Sequence, residues 1–190
     1  MRIISGQHKG RRLQSISGTD VRPTTDQVRE ALFNILSQNV PGSCVLDLFA
    51  GTGALGIEAL SRGAQCAVFV DNSSRPLTVL RKNLQHLGLL KQSKAIRWDI
   101  SKNLNCLKPF QNQFDLVLMD PPYHKKLVAV ALSNLMRVQC LTPGATIVAE
   151  HERHCDIASP DASISITDRR RYGQTGLTFF DFNPNIERTI

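Results

Sequence analysis

The chain has no uninterrupted apolar run approaching the ~18 residues of a membrane span, so no membrane partner is expected. Its first ten residues, Met1-Arg-Ile-Ile-Ser-Gly-Gln-His-Lys-Gly10, lack an apolar signal core, which points to a cytoplasmic rather than a secreted protein. There is no C-x-x-C pair. The five cysteines stand apart at 44, 66, 106, 140 and 155, an odd count that reads as reduced thiols and not as a disulfide framework. No internal repeat is visible, which excludes a solenoid. Acids are the scarcer charge: 16 Asp and Glu against 23 Lys and Arg leave a net +7. That excess favours a polyanionic partner without requiring one. What is present is ordinary globular composition, with 42% hydrophobic residues and 12 glycines in 190 residues. A chain of this size buries roughly 70% of its unfolded surface and needs no covalent staples.

The basic excess is uneven. Residues 1–12 hold Arg2, Lys9, Arg11 and Arg12, with His8 beside them and no acid. Glycines punctuate this stretch, so residues 1–22 are expected to form a basic β-hairpin extension. The body of the domain is placed at 23–183, with a polar tail at 184–190. Arg22-Pro23-Thr24-Thr25-Asp26 opens a helix on which Val28, Leu32, Ile35 and Leu36 recur at helical spacing, ending before Pro41-Gly42.

Strands and helices then alternate. The expected strands are Cys44–Leu48, Cys66–Val70, Ala95–Trp98, Phe114–Met119 and Ala145–Ala149. The expected helices are Ala54–Ser61, about Arg75–Leu87 with Ser73 as its cap, and roughly Lys126–Arg137. Ser163–Thr167 and Thr178–Phe182 follow with no helix between them, and pair as a hairpin whose connector contains Arg169, Arg170, Arg171 and Gly173. Alternation with apolar strands predicts an α/β fold: an open, mostly parallel sheet covered by helices on both faces, with one antiparallel strand from the closing hairpin.

Asp47-Leu-Phe-Ala-Gly51-Thr-Gly53-Ala-Leu-Gly56 lies between a strand and a helix, where such sheets bind ligands. It spells G-x-G-x-x-G, and Asp71 lies 20 residues after Gly51, the spacing of a dinucleotide fingerprint. A NAD-dependent dehydrogenase is therefore one reading. The acid at Asp47 argues against it. Like charges about 4 Å apart cost ~1 kcal/mol in water and ~4 kcal/mol at an intermediate dielectric, so a carboxylate there repels a pyrophosphate. The same carboxylate attracts S-adenosylmethionine, which carries an ammonium and a sulfonium and no phosphate. Asp71 then accepts from ribose hydroxyls, and Asp99, after the third strand, is a candidate acceptor for the adenine amine or a plain loop acid.

Asp120-Pro121-Pro122-Tyr123 ends the most apolar strand. Two prolines terminate a ladder, because neither donates a backbone hydrogen bond. Termination leaves the acid and the aromatic unexplained. The Asp120 carboxylate and the Pro121 carbonyl are both acceptors on a stiff turn. Together they can take the two hydrogens of an exocyclic NH₂ and aim its lone pair at an electrophilic methyl, while Tyr123 offers a ring for stacking. Holding the reactants within ~3–3.5 Å removes several kcal/mol from the barrier.

These two motifs together, DLFAGTGALGIEALSRGA (Asp47–Ala64) and DPPY (Asp120–Tyr123), resemble the S-adenosylmethionine-dependent methyltransferases of amino nitrogens. MRIISGQHKGRRL and RPTTDQVREALFNIL narrow the resemblance to the bacterial enzymes that methylate N2 of a guanine in 16S ribosomal RNA. It extends from Met1 to about Phe182. It implies a Rossmann-like class I methyltransferase fold, seven strands in the order 3-2-1-4-5-7-6. By the same resemblance Asp47, Phe49, Gly51 and Gly53 line the methionine part of the cofactor, and Asp71 meets the ribose. Asp120, Pro121, Pro122 and Tyr123 hold the target amine, and the Arg22–Thr24 segment lies beside the mouth. Ser5 and His8 stand where the family more often has glycine and an aromatic.

The expected RNA contacts are Lys9, Arg11, Arg12, Arg22, Thr24, Arg29 and Arg171. The expected substrate is 16S rRNA within a partly assembled 30S subunit, acted on by a monomer. A DNA adenine-N6 or cytosine-N4 methyltransferase is the near alternative, and a non-catalytic RNA-binding module is a third. No metal is expected: His151-Glu-Arg-His154-Cys155 reads as a polar loop after a strand, without a second ligand cluster. Trp98 is assigned to packing.

Overall fold

A computed structural model describes residues 1–16, 26–122, 127–160 and 162–184. Its elements run α1 (Asp26–Ile35), β1 (Cys44–Leu48), α2 (Ala54–Ser61), β2 (Cys66–Asp71), α3 (Ser74–Leu87), β3 (Ser93–Arg97), β4 (Phe114–Met119), α4 (Leu127–Met136), β5 (Leu141–Glu152), β6 (Ile164–Tyr172) and β7 (Thr175–Phe182). The strands form one seven-stranded sheet in the order β3-β2-β1-β4-β5-β7-β6. The pairs from β3 through β5 are parallel, and β7 runs antiparallel to both β5 and β6. This is the Rossmann-like class I methyltransferase fold.

Strand alternation divides the core. Val45, Phe69, Leu116, Leu118 and Val148 face α1, α2 and α3, meeting Leu32, Phe33, Leu55, Leu77, Leu80 and Leu84. Leu46, Leu48, Val70, Val117, Ile147 and Phe180 face the other way, against Val128, Leu132 and Leu135 of α4. Both faces of the central strands are dry, so they read as continuous apolar runs. The alternation also directs the one charged residue of β1, Asp47, toward α2.

Several boundaries differ from expectation. The third strand begins earlier, at Ser93, and ends at Arg97. The fifth is much longer, Leu141–Glu152, with a register irregularity opposite Phe114 and Leu116 that accommodates Pro143-Gly144. It therefore takes in His151 and Glu152, which are not loop residues. His151 is buried, with Nε2 2.8 Å from the Thr178 hydroxyl and Nδ1 2.8 Å from the Glu152 carbonyl, and burial pushes its imidazole below the usual range. Arg169, Arg170 and Arg171 lie within β6 and not in its connector: Tyr172 pairs with Thr175 across a turn of Gly173 and Gln174 alone. Ser73 precedes α3 but makes no side-chain cap; its N–H instead donates to Asp71 Oδ1 at 2.8 Å.

At the N-terminus a short hairpin spans residues 2–12. One bridge joins Arg2 and Arg12, with Ile3 N donating to Arg11 O at 3.0 Å and Gly10 N to Ile3 O at 2.9 Å. Its proposed far end, residues 17–22, lies outside the described residues. Ile3 and Leu13 anchor it in the core. Polar anchors come from α2: Glu58, 1% exposed, accepts from Ile4 N at 2.8 Å and Ser5 N at 3.0 Å. The Ser61 hydroxyl donates to Ser5 O at 2.6 Å. A glutamate in the middle of the otherwise apolar ALGIEALS helix is thus the hairpin's dock. Gly6 makes the fit possible: its φ is +81°, and a Cβ there would collide with the Ser61 carbonyl. Gly6→Ala should lift the hairpin while the sheet stays folded. Trypsin cleavage after Lys9, Arg11 and Arg12 should then accelerate about tenfold, with little change in the far-ultraviolet spectrum, since edge elements open independently of the core.

Candidate active site at the carboxyl ends of the strands

The parallel strands end together, and the turns that leave them build one crevice. The turn after β1 is tightly wound. Phe49, Gly51 and Gly53 all adopt left-handed backbone, with φ of 62°, 54° and 89°. For Phe49 this conformation costs of order 1 kcal/mol, and strain of this kind gathers at functional sites. The turn is held from both sides. Ala50 N donates to Val70 O at 3.1 Å, and Gly51 N donates to Asp71 Oδ2 at 2.9 Å. The Asn83 side chain of α3 donates to Thr52 O at 3.1 Å. A Cβ on Gly51 would meet nothing nearer than the Phe49 carbonyl at 4.0 Å. A side chain there would occupy open space over the turn, the space a ligand resting on the backbone needs.

Asp47 lies beneath this turn. It is 1% exposed, and its Oδ2 accepts from Gly56 N at 2.9 Å in the first turn of α2. Gly56 is packed so closely that a Cβ would clash with the Phe69 ring and come within 3.0 Å of the same carboxylate oxygen. The third glycine of the motif therefore serves helix–strand packing. Burial is the largest influence on Asp47 and pushes its carboxyl up to about 8. The Gly56 hydrogen bond opposes this, while Asp120 and Asp71 add to it. Near neutral pH the acid of the ligand-free chain is thus largely protonated. The attraction for a cation expected from the sequence operates only once that proton has left.

Asp71 ends β2 in the row above Val70 and Leu48, and Asp120 follows Met119, which pairs with Leu48. The two carboxylates stand on either side of the β1 turn. Asp71 already accepts two backbone N–H bonds, one on each oxygen, and a carboxylate has about four acceptor positions, so capacity remains for hydroxyls of a ligand. Beyond it lies an open depression of about 820 Å³ lined by Asn72, Ser73, Ser74, Arg97, Trp98, Asp99, Lys102 and Asn103. That is the size of a nucleoside-scale site. Asp99 is partly exposed, and hydrogen bonds from Ser101 Oγ at 2.6 Å and Ser101 N at 3.1 Å hold its carboxyl below the usual range. Trp98 packs at the margin of the core, and its indole N–H donates to Asn103 O at 2.9 Å.

On the opposite side of the turn, Asp120 is partly buried, Pro121 buried and Pro122 exposed. Tyr123 lies outside the described residues, as do Arg22 and Thr24 of the expected RNA face. Lys9, Arg11, Arg12 and Arg171 are exposed. Arg29 is not: it is 0% exposed, and its guanidinium lies between Asp26 Oδ1 at 3.1 Å, Glu58 Oε2 at 3.8 Å and the Arg2 carbonyl. It binds the hairpin to α1 and cannot touch RNA. The helical spacing of α1 held the signal, because Arg29 adjoins Val28 and falls three residues before Leu32 and four before Phe33, on the face those residues bury. Among the described residues no group of three or more His, Cys, Asp or Glu could hold a metal.

Fold and crevice together define a class I methyltransferase: a glycine turn on β1, a carboxylate ending β2, and an Asp-Pro-Pro turn ending β4, all opening on one cleft. The family described as Conserved hypothetical protein 95 matches residues 1–181, and the chain belongs to this family, whose members include proteins resembling ribosomal RNA small subunit methyltransferase D. It is 40% identical over 164 residues to "Ribosomal RNA small subunit methyltransferase D" of Haemophilus influenzae, covering 85% of this chain and 83% of that protein. The solved structure of yhhF from Escherichia coli superposes with a TM-score of 0.84 at 32% identity, covering 96% of this chain and 98% of that one. An RNA methyltransferase from Salinibacter ruber, solved with S-adenosyl-L-homocysteine, shares the fold alone, with a TM-score of 0.64 at 15% identity over 88% and 97% of the two chains. None of these comparisons favours the dehydrogenase reading of G-x-G-x-x-G.

Proposed function

We propose that this chain transfers a methyl group from S-adenosylmethionine to the exocyclic N2 amine of a guanine in small-subunit (16S) ribosomal RNA. The observation that carries this reading is the pairing of an open, left-handed glycine turn with an Asp-Pro-Pro corner across the same crevice. The names of the relatives support rRNA as the substrate class. S-adenosylmethionine supplies a methyl group made electrophilic by its sulfonium.

The remaining roles belong to the chain. Gly51 lets the backbone approach the donor, while Gly53, where a side chain would collide with Leu80 and Ile57, serves the left-handed entry to α2 and not the ligand face; Asp71 accepts from the donor's ribose. Asp99 and the depression beside Trp98 take the base. Asp47 provides negative charge beneath the turn once its proton has left, and Phe49 shapes the turn's wall. Asp120 and the Pro121 carbonyl accept the two amine hydrogens, so the nitrogen lone pair is withdrawn from the guanine ring and directed across the crevice. Pro122 stiffens the corner and Tyr123 covers the base. As the nitrogen–carbon bond forms and the carbon–sulfur bond breaks, the electron pair stays on sulfur. The nitrogen becomes cationic and sheds one proton, which the adjacent Asp120 carboxylate can accept. No covalent enzyme intermediate is needed.

Lys9, Arg11, Arg12 and Arg171, with Arg22 and Thr24, are assigned to RNA phosphates. Arg171 stands two rows beyond Met119 along the sheet, since Met119 is level with Ala149, Thr178 and Arg169. It thus overlooks the same rim as Asp120. A guanine must leave its stack to reach that corner, at a cost of a few kcal/mol that an unpaired site lowers.

The test is tritiated methyl transfer to undermethylated 30S particles, free rRNA and DNA, followed by nucleoside analysis. N2-methylguanosine in 16S rRNA is the expected product. Label only in DNA, as N6-methyladenine or N4-methylcytosine, would overturn the reading.

A further inference from the structure

Between Asp71 and Asp99 the chain carries no acid: residues 72–98 hold six Lys or Arg and neither Asp nor Glu. At the chain's average of 16 acids in 190 residues, about two would be expected there. The segment folds as α3 and β3, and β3 is one of the sheet's two edge strands. Leu77, Leu80, Leu84 and Leu87 face the core, while Arg75, Thr78, Lys82 and Gln85 recur every three or four residues along the opposite, exposed face. Arg81 flanks the stripe and leans to β3, donating to the Ala95 carbonyl at 3.3 Å. Lys94 and Arg97 continue the exposed charge along β3.

Three features set this face apart from a merely solvated one. Among the described residues, Arg75, Arg81 and Lys82 form no ion pair, whereas Arg2, Arg29, Arg62, Arg169 and Arg170 each have an acid partner. Arg75 also sits in the first turn of α3, the end at which the helix dipole disfavours a cation. Finally, the face is continuous with the N-terminal arm. The Asn83 carboxamide, 2% exposed, accepts from Gln14 N at 2.9 Å and donates to Gln14 O at 3.1 Å, so the strand that follows Lys9, Arg11 and Arg12 crosses α3 beside Lys82. From there Arg75 lies about 10 Å further along the helix toward the cofactor rim.

We propose that the outer face of α3, through Arg75, Arg81 and Lys82, is a second RNA-backbone contact, forming with the hairpin one track that leads phosphates to the crevice. The proposal rests on the rRNA methyltransferase reading above. The stripe itself, Arg75, Thr78, Lys82 and Gln85, is wholly polar and offers none of the apolar or aromatic anchors at the core of a protein interface. A polyanion backbone fits that chemistry.

The test compares the wild type with the triple variant Arg75→Gln/Arg81→Gln/Lys82→Gln, binding the rRNA that the wild type methylates, between about 50 and 200 mM salt. Each phosphate contact contributes about 0.9 to the slope of log affinity against log salt on duplex, or about 0.7 on single strands. Loss of three contacts should lower the slope by about 2 to 3 and weaken binding at least tenfold at the low-salt end. S-adenosylmethionine affinity should be unchanged. Lys82→Glu alone, an exposed change without a contact to break, should weaken RNA binding with no shift in melting temperature. Unchanged affinity and slope in both variants would overturn the proposal. So would a defect confined to assembled 30S particles with naked rRNA unaffected, which would assign the face to a ribosomal protein. Should the wild type itself neither bind nor methylate rRNA, the functional reading fails first, and this inference with it.

Discussion

Asp120→Ala is expected to lower methyl transfer about a thousandfold while changing S-adenosylmethionine affinity by no more than a few-fold. The arithmetic follows from what the side chain does. Removing one preorganised hydrogen-bonding group that acts on the reacting atoms costs about 10²–10³ in turnover, or roughly 3–4 kcal/mol. In the proposed reaction Asp120 carries a further burden, because there it faces the nitrogen that becomes cationic. Its negative charge is therefore needed more in the transition state than in the ground state, and such an interaction appears in kcat rather than in KM. Asp120→Asn should fall between the two, since an amide oxygen still accepts one hydrogen bond but brings no charge and takes no proton. Cofactor binding should survive because Asp120 follows β4, whereas the glycine turn leaves β1 and is held from β2 and α3. Single-turnover transfer and calorimetry on the same samples separate the two quantities. Turnover within tenfold of wild type in the alanine variant would remove Asp120 from the chemistry.

Much of this architecture was legible in the residues, and the reasons can be stated element by element. Phe114–Met119 and Ala54–Ser61 have the predicted bounds because apolar runs on buried strands and helices are cut off by unmistakable punctuation, Asp-Pro-Pro in one case and Gly-x-Gly with Arg-Gly in the other. The strand order came with the family resemblance, and periodicity alone would have given only a parallel sheet covered on both faces. The misreadings share a cause. Arg169–Arg171 looked like a connector because three arginines seldom occupy a central strand, yet β6 is the sheet's outer edge, where solvated cations also discourage unwanted pairing. His151 looked like loop because a polar residue after Val148 and Ala149 suggests solvent. It is buried because Thr178, from a strand some thirty residues on, supplies a partner for its ring. Arg29 looked like an RNA contact because it is a cation near the basic hairpin, and the same hairpin, docked through Glu58, is what buries it.

The dock shows how the crevice and the N-terminal hairpin are joined. α2 carries Gly56 and Asp47's hydrogen bond at its start, and Glu58 and Ser61 in its later turns. A helix of eight residues thus fixes the glycine turn at one end and the hairpin at the other. Asn83 makes the second connection, from Thr52 to Gln14. None of these polar links shows in the sequence as a motif, since each is a single residue whose partner is more than thirty positions away or a bare backbone group. They are visible only as anomalies: a glutamate among Ile57, Ala59 and Leu60, and an asparagine beside Leu80 and Leu84.

Asp47→Asn should make the protein more stable and the cofactor site worse, and both effects should depend on pH. The carboxyl's ordinary value is 3.8, and burial raises it to about 8 in the folded chain. Below pH 4 both folded and unfolded states hold the proton, and the group contributes no pH dependence. Between about 4 and 8 the unfolded state has lost the proton while the folded state keeps it, so the unfolded state binds fewer protons and stability falls as pH rises. Above 8 both states are ionised and the loss is complete. Asparagine does not titrate, and its amide oxygen can still accept from Gly56 N. The variant should therefore match the wild type near pH 4 and exceed it increasingly up to pH 8. There the gain is on the order of 5 kcal/mol, or about 10–20 °C in melting temperature. Binding should run the other way. A cationic donor above the turn favours ionised Asp47, so wild-type affinity should climb between pH 6 and 8 with release of a proton, detectable as a buffer-dependent calorimetric enthalpy. S-adenosylhomocysteine, lacking the sulfonium charge, should release less. In Asp47→Asn this component should vanish, with affinity for the donor at least tenfold weaker at pH 8. Parallel melting curves for the two proteins from pH 5 to pH 9 would show that Asp47 is ionised in the fold from the outset, and would reduce it to a cap for Gly56.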